Sequence, residues 1–257
     1  MVPRPLVNSI QGSKEARRAI AKGSVPVEWL EIEPGDREAA AQVAPVVSLE
    51  QDPSHGDPGF ASHNAARREE FEELYAAGRL DPAAKELSPL LAAVLLRGVG
   101  LRPDDTFVDL GSSRGGLVFS AASRCRHAAG LELSRRMHAA ALRAVPGFLA
   151  SFPDASVLFD RGDVRDFDVS PFDIVFCAIR GALSRPRVLK PVLDTLKNAS
   201  GRRRRLLCAG FGLDGLQVNK VYCIRKDSCF DNVDCAEPLY GDDNGPRVIL
   251  EYVFRRD

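Results

Sequence analysis

The sequence predicts an α/β fold built on a mostly parallel sheet of seven strands with helices on both faces. Apolar strand patterns alternate with helical patterns from residue 106 to residue 211, which is typical of a parallel sheet covered on both sides. The last two strand patterns, at 217–224 and 247–254, follow without a helical pattern between them. A parallel crossover needs a dozen or more residues. We therefore expect an antiparallel strand pair at the end of the chain.

Each element follows from its own residue pattern. Apolar and β-branched runs predict strands at 106–110, 127–133, 156–160, 172–178 and 204–211. Helical periodicity predicts helices at 115–124, 135–144 and 184–198. An earlier helix is expected after Pro82, because Leu87, Leu91 and Leu95 form one broad apolar face. It should end near Gly98.

Two regions differ in composition. Residues 1–60 are predicted to form a partly irregular N-terminal arm, because prolines and glycines interrupt them too often for long elements. Within the arm, a short helix capped by Ser13 and a strand at 27–32 are expected. Residues 61–257 should form the main domain, with a helical lead-in at 61–100 and a core at 101–257. A loosely docked arm is the expected outcome.

Charge and hydropathy exclude several classes of function. The 35 basic and 35 acidic residues cancel, so no overall charge favours nucleic acid or an anionic membrane as a partner. No apolar run approaches the ~20 residues of a membrane helix, and the N-terminus lacks the apolar segment of a secretory signal. We expect a soluble intracellular protein, nuclear or cytoplasmic.

The six cysteines contain no C-x-x-C pair, which predicts reduced thiols and no metal site.

A glycine-rich turn between two strands predicts a nucleoside cofactor. The strand at 106–110 runs into Gly111, and the next strand ends on Glu132. Asp109 argues against a phosphate-bearing cofactor, because a carboxylate and a phosphate oxygen at ~4 Å repel by roughly 4 kcal/mol at an effective dielectric near 20. The same charge favours a cationic cofactor such as S-adenosyl-L-methionine. A nicotinamide dehydrogenase is disfavoured on this ground.

Over about residues 81–257 the chain resembles the class I S-adenosylmethionine-dependent methyltransferases. The resemblance rests on the segment that begins at Asp109, on Glu132 and on Asp163, each at or near a predicted strand end. It implies a Rossmann-like sheet in which Asp109 faces the methionine ammonium. The turn residues that it implies for cofactor binding are Gly111, Ser112 and Gly115.

The same resemblance assigns the nucleoside half of the cofactor. Glu132 is expected to accept hydrogen bonds from both ribose hydroxyls. Asp163 is expected to accept from the adenine amine, while Val164 packs on the ring. A helix or turn cap is the alternative role of Asp163. Ser113 departs from the pattern, since most of these enzymes carry a second glycine there.

Within this class the chain looks most similar to the histone lysine methyltransferases of the disruptor-of-telomeric-silencing type. The similarity includes the run from Phe107 to Ser112, and it places Glu86 where that family has a cofactor-contacting glutamate. It implies a protein substrate, possibly a histone, methylated on lysine. The family's Asn-rich turn after the fourth strand is replaced by a segment that starts at Cys177.

Two alternatives remain open. RNA ribose methyltransferases carry a turn similar to residues 112–116, but they deprotonate the hydroxyl with a fifth-strand lysine, and the strand at 204–211 has none. A methyltransferase-fold binding module without turnover is the second alternative. A dense basic run could contact nucleic acid phosphates or lie in a solvated loop; it comprises Arg202, Arg203, Arg204 and Arg205.

Overall fold

The computed structural model describes residues 10–48, 87–178, 186–198, 203–224 and 247–254. The helices of this part of the chain are α1 (Lys14–Ala21), α2 (Pro34–Ser48), α3 (Pro89–Gly98), α4 (Gly116–Ala122), α5 (Arg135–Ser151) and α6 (Pro186–Asn198), with a 3₁₀ turn at Val164–Asp166. The strands are β1 (Gln11–Gly12), β2 (Val27–Leu30), β3 (Thr106–Leu110), β4 (His127–Glu132), β5 (Val157–Arg161), β6 (Ile174–Cys177), β7 (Arg204–Ala209), β8 (Phe211–Gly212), β9 (Lys220–Ile224) and β10 (Arg247–Phe254).

Eight of these strands form one sheet in the order β2-β9-β10-β7-β6-β3-β4-β5. Neighbouring strands run parallel, except that β10 runs antiparallel to both β7 and β9. The α/β architecture and the antiparallel pair are as the sequence predicts. Strand order reverses between β3 and β6, and in open sheets of this kind ligands bind at the carboxyl ends of the strands beside such a reversal.

Two apolar layers hold the helices on the sheet. On one face, Ile20 of α1 and Val192 of α6 join the inward side chains of the strands. On the other face, helices α2 to α5 supply the core, with Phe119 and Phe148 among its fully buried members. Alternate residues of β3 point to opposite faces, so both faces of this central strand are buried.

The eighth strand comes from the N-terminal segment, so the prediction of seven strands was one short. Strand β2 pairs in parallel with β9. Beside it, the Arg97 guanidinium binds the buried Asp36 carboxylate through Nε and Nη2, at 3.0–3.1 Å. Leu30 packs so closely on Gly98 that a Cβ there would lie 2.4 Å from its Cδ1. Residues 10–48 are therefore docked more tightly than their proline and glycine content predicts.

The N-terminal segment also explains how the short connection after β7 is accommodated. Strand β9 runs parallel to β7, but β10 lies between them, so about ten residues can lead from one to the other without a crossover helix. Helix α1 covers this face instead, and β1 pairs with β8 in a second, two-stranded sheet. The Ser13 hydroxyl accepts from Ala16 N–H and caps α1, as predicted. The predicted boundary at residue 60 lies outside the described residues.

Across the described residues, none of the helices combines the length and the apolar character that spanning a membrane requires.

Candidate functional site

The turn after β3 is shaped by three residues in the left-handed region. Gly111 has φ +89°, Ser113 φ +51° and Gly115 φ +88°. Glycine adopts such angles without strain, whereas a residue with a Cβ does so at a cost of about 1 kcal/mol or more. Ser113 is the only residue other than glycine in this region among the described residues. The glycine expected at this position in most related enzymes thus has a conformational reason.

The backbone donors of the turn are used within the protein. The N–H groups of Gly111 and Ser112 both donate to the Leu131 carbonyl, at 2.8 and 3.0 Å, and Gly115 N–H donates to the Ser112 carbonyl at 2.8 Å. Ser113 N–H donates to Glu132 Oε2 at 2.8 Å. A pyrophosphate needs such N–H groups to be directed at it. With these four committed elsewhere, the turn is poorly suited to a phosphate-bearing cofactor.

Two buried polar side chains lie at the start of this turn. Asp109 is 5% exposed and lies beside Gly130 in the β3–β4 register. Ser112 Oγ is fully buried, makes no hydrogen bond within the described residues, and would lie 2.6 Å from a Cβ placed on Gly130. A buried hydroxyl is costly unless it meets a polar partner, and a buried carboxylate favours a cation nearby. This pair fits a cofactor that carries an ammonium group.

Glu132 ends β4 with both carboxylate oxygens engaged. Oε2 accepts from Ser113 N–H, and Oε1 accepts from Ser134 N–H at 2.8 Å. Ser134 in turn caps α5 by accepting from Met137 N–H at 3.3 Å. A carboxylate oxygen can accept more than one hydrogen bond, so this side chain is of a type that can bind ribose hydroxyls. The carboxylate is therefore held in place from both sides before any ligand arrives.

Aromatic side chains pack against the turn at Gly115. A Cβ on Gly115 would lie 2.4 Å from Phe159 Cζ. The Phe159 ring packs on Phe119 at a centroid distance of 5.2 Å, and Phe119 packs on Phe148 at 4.9 Å. Gly115 is the N-cap of α4, and both its φ angle and the Phe159 ring exclude a larger residue there.

Asp163 lies beside Glu132, because Gly162 N–H donates to the Glu132 carbonyl at 3.1 Å. It caps the 3₁₀ turn by accepting from Arg165 N–H, and it binds the Arg165 side chain through Nε at 2.9 Å and Nη2 at 2.6 Å. This bonding raises the pKa of the Arg165 guanidinium, chiefly through the hydrogen bond to Asp163. The capping role considered for Asp163 is thus present, and its contact with adenine stays a prediction.

The remaining predicted cofactor residues are placed as follows. Val164 is buried in the core cluster with Val169 and Phe172, so its side chain is directed into the protein. Glu86 lies outside the described residues. Ser88, two positions further on, caps α3 by accepting from Leu91 N–H at 3.3 Å. The sequence analysis did not predict the pairing of Arg165 with Asp163, for which a basic residue two positions after a capping aspartate is the sequence signal.

The carboxyl ends of β6 and β7 are apolar. Cys177 ends β6 beside Cys208 of β7, and both are fully buried. Burial raises the pKa of the Cys208 thiol well above its usual range, so it remains protonated and unreactive at neutral pH. The described part of this edge, β7 and residues 174–178, contains no lysine, histidine or aspartate.

The basic run before β7 is largely committed to internal contacts. Arg204 Nη2 donates to the Ser170 carbonyl at 2.7 Å. Arg205 is 15% exposed and lies near Glu251 and Asp105, at 3.7 and 3.8 Å. Arg203 is half exposed and 3.7 Å from Glu251. Arg202 lies outside the described residues. These contacts anchor the amino-terminal end of β7, on the edge opposite the glycine turn.

Comparison with protein families matches residues 83–148 to the histone methylation protein DOT1. The matched segment is about a quarter of the chain and includes the glycine turn and Glu132 but not Asp163. Comparison with curated proteins gave no match.

Solved structures with a similar fold include several methyltransferases. An RNA methyltransferase from Salinibacter ruber in complex with S-adenosyl-L-homocysteine is 14% identical, with 65% of this chain and 91% of that chain covered and a TM-score of 0.46. A precorrin-6y C5,15-methyltransferase from Geobacter metallireducens is 15% identical, with 69% and 93% covered and a TM-score of 0.47. A tRNA (uracil-54, C5)-methyltransferase from Pyrococcus abyssi is 15% identical, with 65% and 39% covered and a TM-score of 0.44.

The fold, the glycine turn and the family match all concern the same part of the molecule. Asp109, the glycine turn and Glu132 lie at the carboxyl edge of the sheet, where this class binds its cofactor. The matched segment, residues 83–148, contains all three. The chain thus has the sheet topology and the glycine turn expected of a class I S-adenosylmethionine-dependent methyltransferase, and its residues 83–148 are similar to the histone methylation protein DOT1.

Proposed function

We propose that this enzyme transfers the methyl group of S-adenosyl-L-methionine to a lysine side chain of a protein, with a histone as the preferred class of substrate. The match of residues 83–148 to the histone methylation protein DOT1 is the observation that supports a histone acceptor. Such an acceptor would place the protein with chromatin in the nucleus.

The composition of the acceptor edge supports an amine over a hydroxyl. A ribose hydroxyl needs a strong general base, whereas a lysine amine, with an ordinary pKa near 10.4, need only lose its proton in apolar surroundings. In the described residues, the ends of β6 and β7 offer Cys177, Leu207 and Cys208, all buried, and no lysine. The enzyme's contribution is then to position the amine in line with the methyl group.

The cofactor assignment uses groups already fixed in the protein. Asp109 supplies negative charge for the methionine ammonium, and the Glu132 carboxylate supplies acceptor oxygens for the ribose. Four N–H groups of the turn between them already donate within the protein, which disfavours a phosphate at this place. S-adenosyl-L-methionine, when bound, supplies a methyl group activated by its sulfonium charge. Contacts of Gly111, Ser112, Gly115, Asp163 and Val164 with the cofactor belong to the same proposal.

A labelling experiment with a matched control tests the proposal. The full chain is incubated with S-adenosyl-L-methionine labelled in its methyl group and with core histones, total RNA or small metabolites in separate reactions. Asp109→Asn should abolish labelling, because it removes the charge that faces the ammonium. Asp104→Asn should not, because Asp104 is an exposed residue outside the turn. Label is expected on histones.

Lysine is tested by blocking it. Histones whose lysines have been chemically acetylated beforehand should accept far less label than untreated histones, because an acetylated amine no longer attacks the methyl group. Label that persists on the blocked histones would point to another side chain and overturn the lysine assignment. Label confined to RNA would support the ribose alternative, for which the similarity of residues 112–116 is the specific observation. Tight binding of S-adenosylhomocysteine without any labelling would support a binding module.

A further inference from the structure

The large apolar side chains that are exposed in the described residues all lie at one edge of the main sheet. They are Leu142 and Leu149 of α5 and Leu158 of β5, which are 47%, 36% and 47% exposed. Strand β5 is the outermost described strand on this side of the sheet. Proteins that stay monomeric usually protect such an edge with charges, proline or a covering element. The three leucines therefore mark a surface suited to a partner.

The outer side of β5 can accept another strand. At the two ends of the β4–β5 ladder, the residues that bond to β4 are Ser156 and Gly162. Because backbone direction alternates along a strand, the odd-numbered residues of β5 present their N–H and C=O groups outward. The Phe159 carbonyl accepts from His138 Nε2 at 3.2 Å. A carbonyl can accept a second hydrogen bond, so Phe159 can still join a new ladder.

Helix α5 places Leu142 level with this edge. The bond between His138 and Phe159 fixes the height of the helix along the strand. Leu142 lies four residues further along α5, about 6 Å. Since α5 connects two parallel strands, it runs opposite to them, and Leu142 lies near the level of residues 157–158. Phe159 belongs to the core under α5, so Leu158 points to the other face of the sheet.

We propose that the protein forms a twofold-symmetric dimer in which β5 pairs antiparallel with β5 of a second copy, with Leu158 on the symmetry axis. In this register Val157 of one copy pairs with Phe159 of the other, so one continuous sheet runs through both copies. The two Leu158 side chains meet on one face, and the two Leu142 side chains meet on the other. A twofold axis uses the same surface on both copies, so the assembly closes at two.

The dimensions of the sheet bring the two α5 helices into contact. Helix α5 packs on both β4 and β5. Neighbouring strands are about 4.8 Å apart, so a helix centred over these two strands would lie about 10 Å from its symmetry mate. Packed helices are usually about 8–10 Å apart. The pairing of the two strands thus also buries the exposed leucines of α5.

Charge complementarity favours a second copy as the occupant. Arg161 at the end of β5 and Asp154 before its start are both exposed, and neither forms an ion pair within the described residues. In the proposed register, residue 162 of one copy lies opposite residue 154 of the other. Each Arg161 therefore comes within reach of Asp154 of the other copy, and the symmetry axis makes this pair twice. The inference does not depend on the cofactor or on the methyl acceptor.

Sedimentation velocity of the full chain over a range of concentrations is the first test. The expected mass is twice the 28.0 kDa of one chain. Leu158→Arg should give a monomer, because it places two positive charges together on the axis. Ala21→Arg adds the same charge at the exposed end of α1 and, as the matched control, should remain dimeric. Circular dichroism should show both variants folded, since both positions are exposed.

Disulfide trapping tests the register. Leu158→Cys places two thiols directly opposite each other at a pair without hydrogen bonds, where the Cα atoms are about 4.5 Å apart, within the range of a disulfide. Oxidised glutathione, which takes up the two protons and two electrons, should convert this variant to a covalent dimer. Asp160→Cys should not link, because its two copies would be about 13 Å apart along the strands. Wild type treated in the same way measures the background of the native cysteines.

A charge exchange tests the contact between Arg161 and Asp154. Arg161→Asp or Asp154→Arg alone should raise the Kd of the dimer about 3- to 10-fold, since exposed ion pairs contribute up to about 1 kcal/mol each. The double variant should return the Kd close to that of the wild type. A defect in folding would not be repaired by the second change.

Four results would overturn the proposal. A wild type that stays monomeric at every concentration would leave this edge to another partner, such as an extended peptide. A dimer that survives Leu158→Arg would use a different surface. Cross-linking of Asp160→Cys but not of Leu158→Cys would exclude the axis at Leu158. A double charge variant weaker than either single variant would exclude the pairing of Arg161 with Asp154.

Discussion

The N–H group of Ser113 donates to Glu132 Oε2 at 2.8 Å. This bond joins the turn after β3 to the end of β4. Ser113 is the one residue other than glycine with a positive φ in the described chain, and Glu132 is the carboxylate expected to bind ribose. Glu132 Oε1 meanwhile accepts from Ser134 N–H at the start of α5. A single carboxylate thus sets both the shape of the turn and the start of a helix.

Glu132→Gln should lower both stability and cofactor affinity. A glutamine has one acceptor oxygen, so one of the two N–H groups would face an amide NH₂ group. Leaving a buried donor unsatisfied costs about 1–3 kcal/mol. Urea unfolding and calorimetry with S-adenosylhomocysteine measure the two effects. A fully stable variant that binds normally would show that the carboxylate has neither role.

Ser113→Gly should raise the free energy of unfolding by about 0.5–1 kcal/mol, because glycine adopts φ +51° without a strained Cβ. Ser123→Gly is the matched control: Ser123 has φ −72°, and its hydroxyl donates to the Ser120 carbonyl. That change should lower stability, since it adds backbone freedom to the unfolded chain and removes a hydrogen bond. If both changes lower stability equally, the strain at Ser113 is negligible.

Gly115→Ala should destabilise the protein by roughly 2–4 kcal/mol, since the new Cβ would meet Phe159 in addition to straining the backbone. Gly100→Ala isolates the backbone contribution, because Gly100 also has a positive φ but no atom lies within 4 Å of the place that a Cβ would take there. It should cost only about 1 kcal/mol. Adding Phe159→Leu to Gly115→Ala should recover part of the difference, and additive effects in this double-mutant cycle would argue against the contact.

Asp36→Ala should lower the free energy of unfolding by about 3 kcal/mol. The Asp36 carboxylate accepts three hydrogen bonds from the partly exposed Arg97 and one from Glu33 N–H, and the change removes all of them. Glu38→Ala, a change at an exposed position of the same helix, is the control and should have little effect. Limited proteolysis should release fragments from residues 10–48 faster in Asp36→Ala than in either other protein. Equal cleavage would show that this ion pair does not hold the N-terminal segment.

Stability should fall as the pH rises above about 8.5, the ordinary pKa of a thiol. Burial raises the pKa of Cys125 to about 11 and that of Cys223 to about 12. The folded state therefore keeps protons that the unfolded chain loses, so the stabilisation is complete below pH 8.5 and declines towards pH 11–12, by up to about 1.4 kcal/mol per pH unit for each thiol. Urea midpoints at pH 7.5, 8.5 and 9.5 measure the slope. Cys223→Ala should reduce it, and a slope that this change leaves unaltered would contradict the assignment.

Most strands and helices of the fold can be predicted from the local sequence pattern. Where the structure differs from the prediction, tertiary packing is the reason. Strand β3 has the predicted bounds, because its apolar run stops at Gly111. Helix α5 continues past Pro146, beyond the predicted end at residue 144, because the next turn buries Phe148 completely. Strand β2 was predicted as a strand, but its place in the sheet was not, since its partner β9 is about 190 residues away in the chain.

The candidate site, like the fold, could be predicted from the sequence only in part. Asp109 and Glu132 were identifiable because each stands at the end of an apolar strand, a position that sequence shows directly. The contact between Asp163 and Arg165 was not, because it depends on the rotamers of two side chains around a cap. The sequence shows only that Ser113 stands where a glycine is expected. The size of the backbone strain there depends on the φ angle, which the sequence does not reveal.

The pairing of β2 with β9 has a consequence for biosynthesis. Residues 27–30 leave the ribosome about 190 residues before residues 221–224, and the two strands cannot pair until both have been made. Until then the apolar side chains of Val27, Trp29 and Leu30 have no sheet to join, and such segments are prone to aggregate. Among the described strands of the main sheet, β2 is synthesised first but is one of the last to pair, and the yield of folded protein should depend on what protects it during that interval.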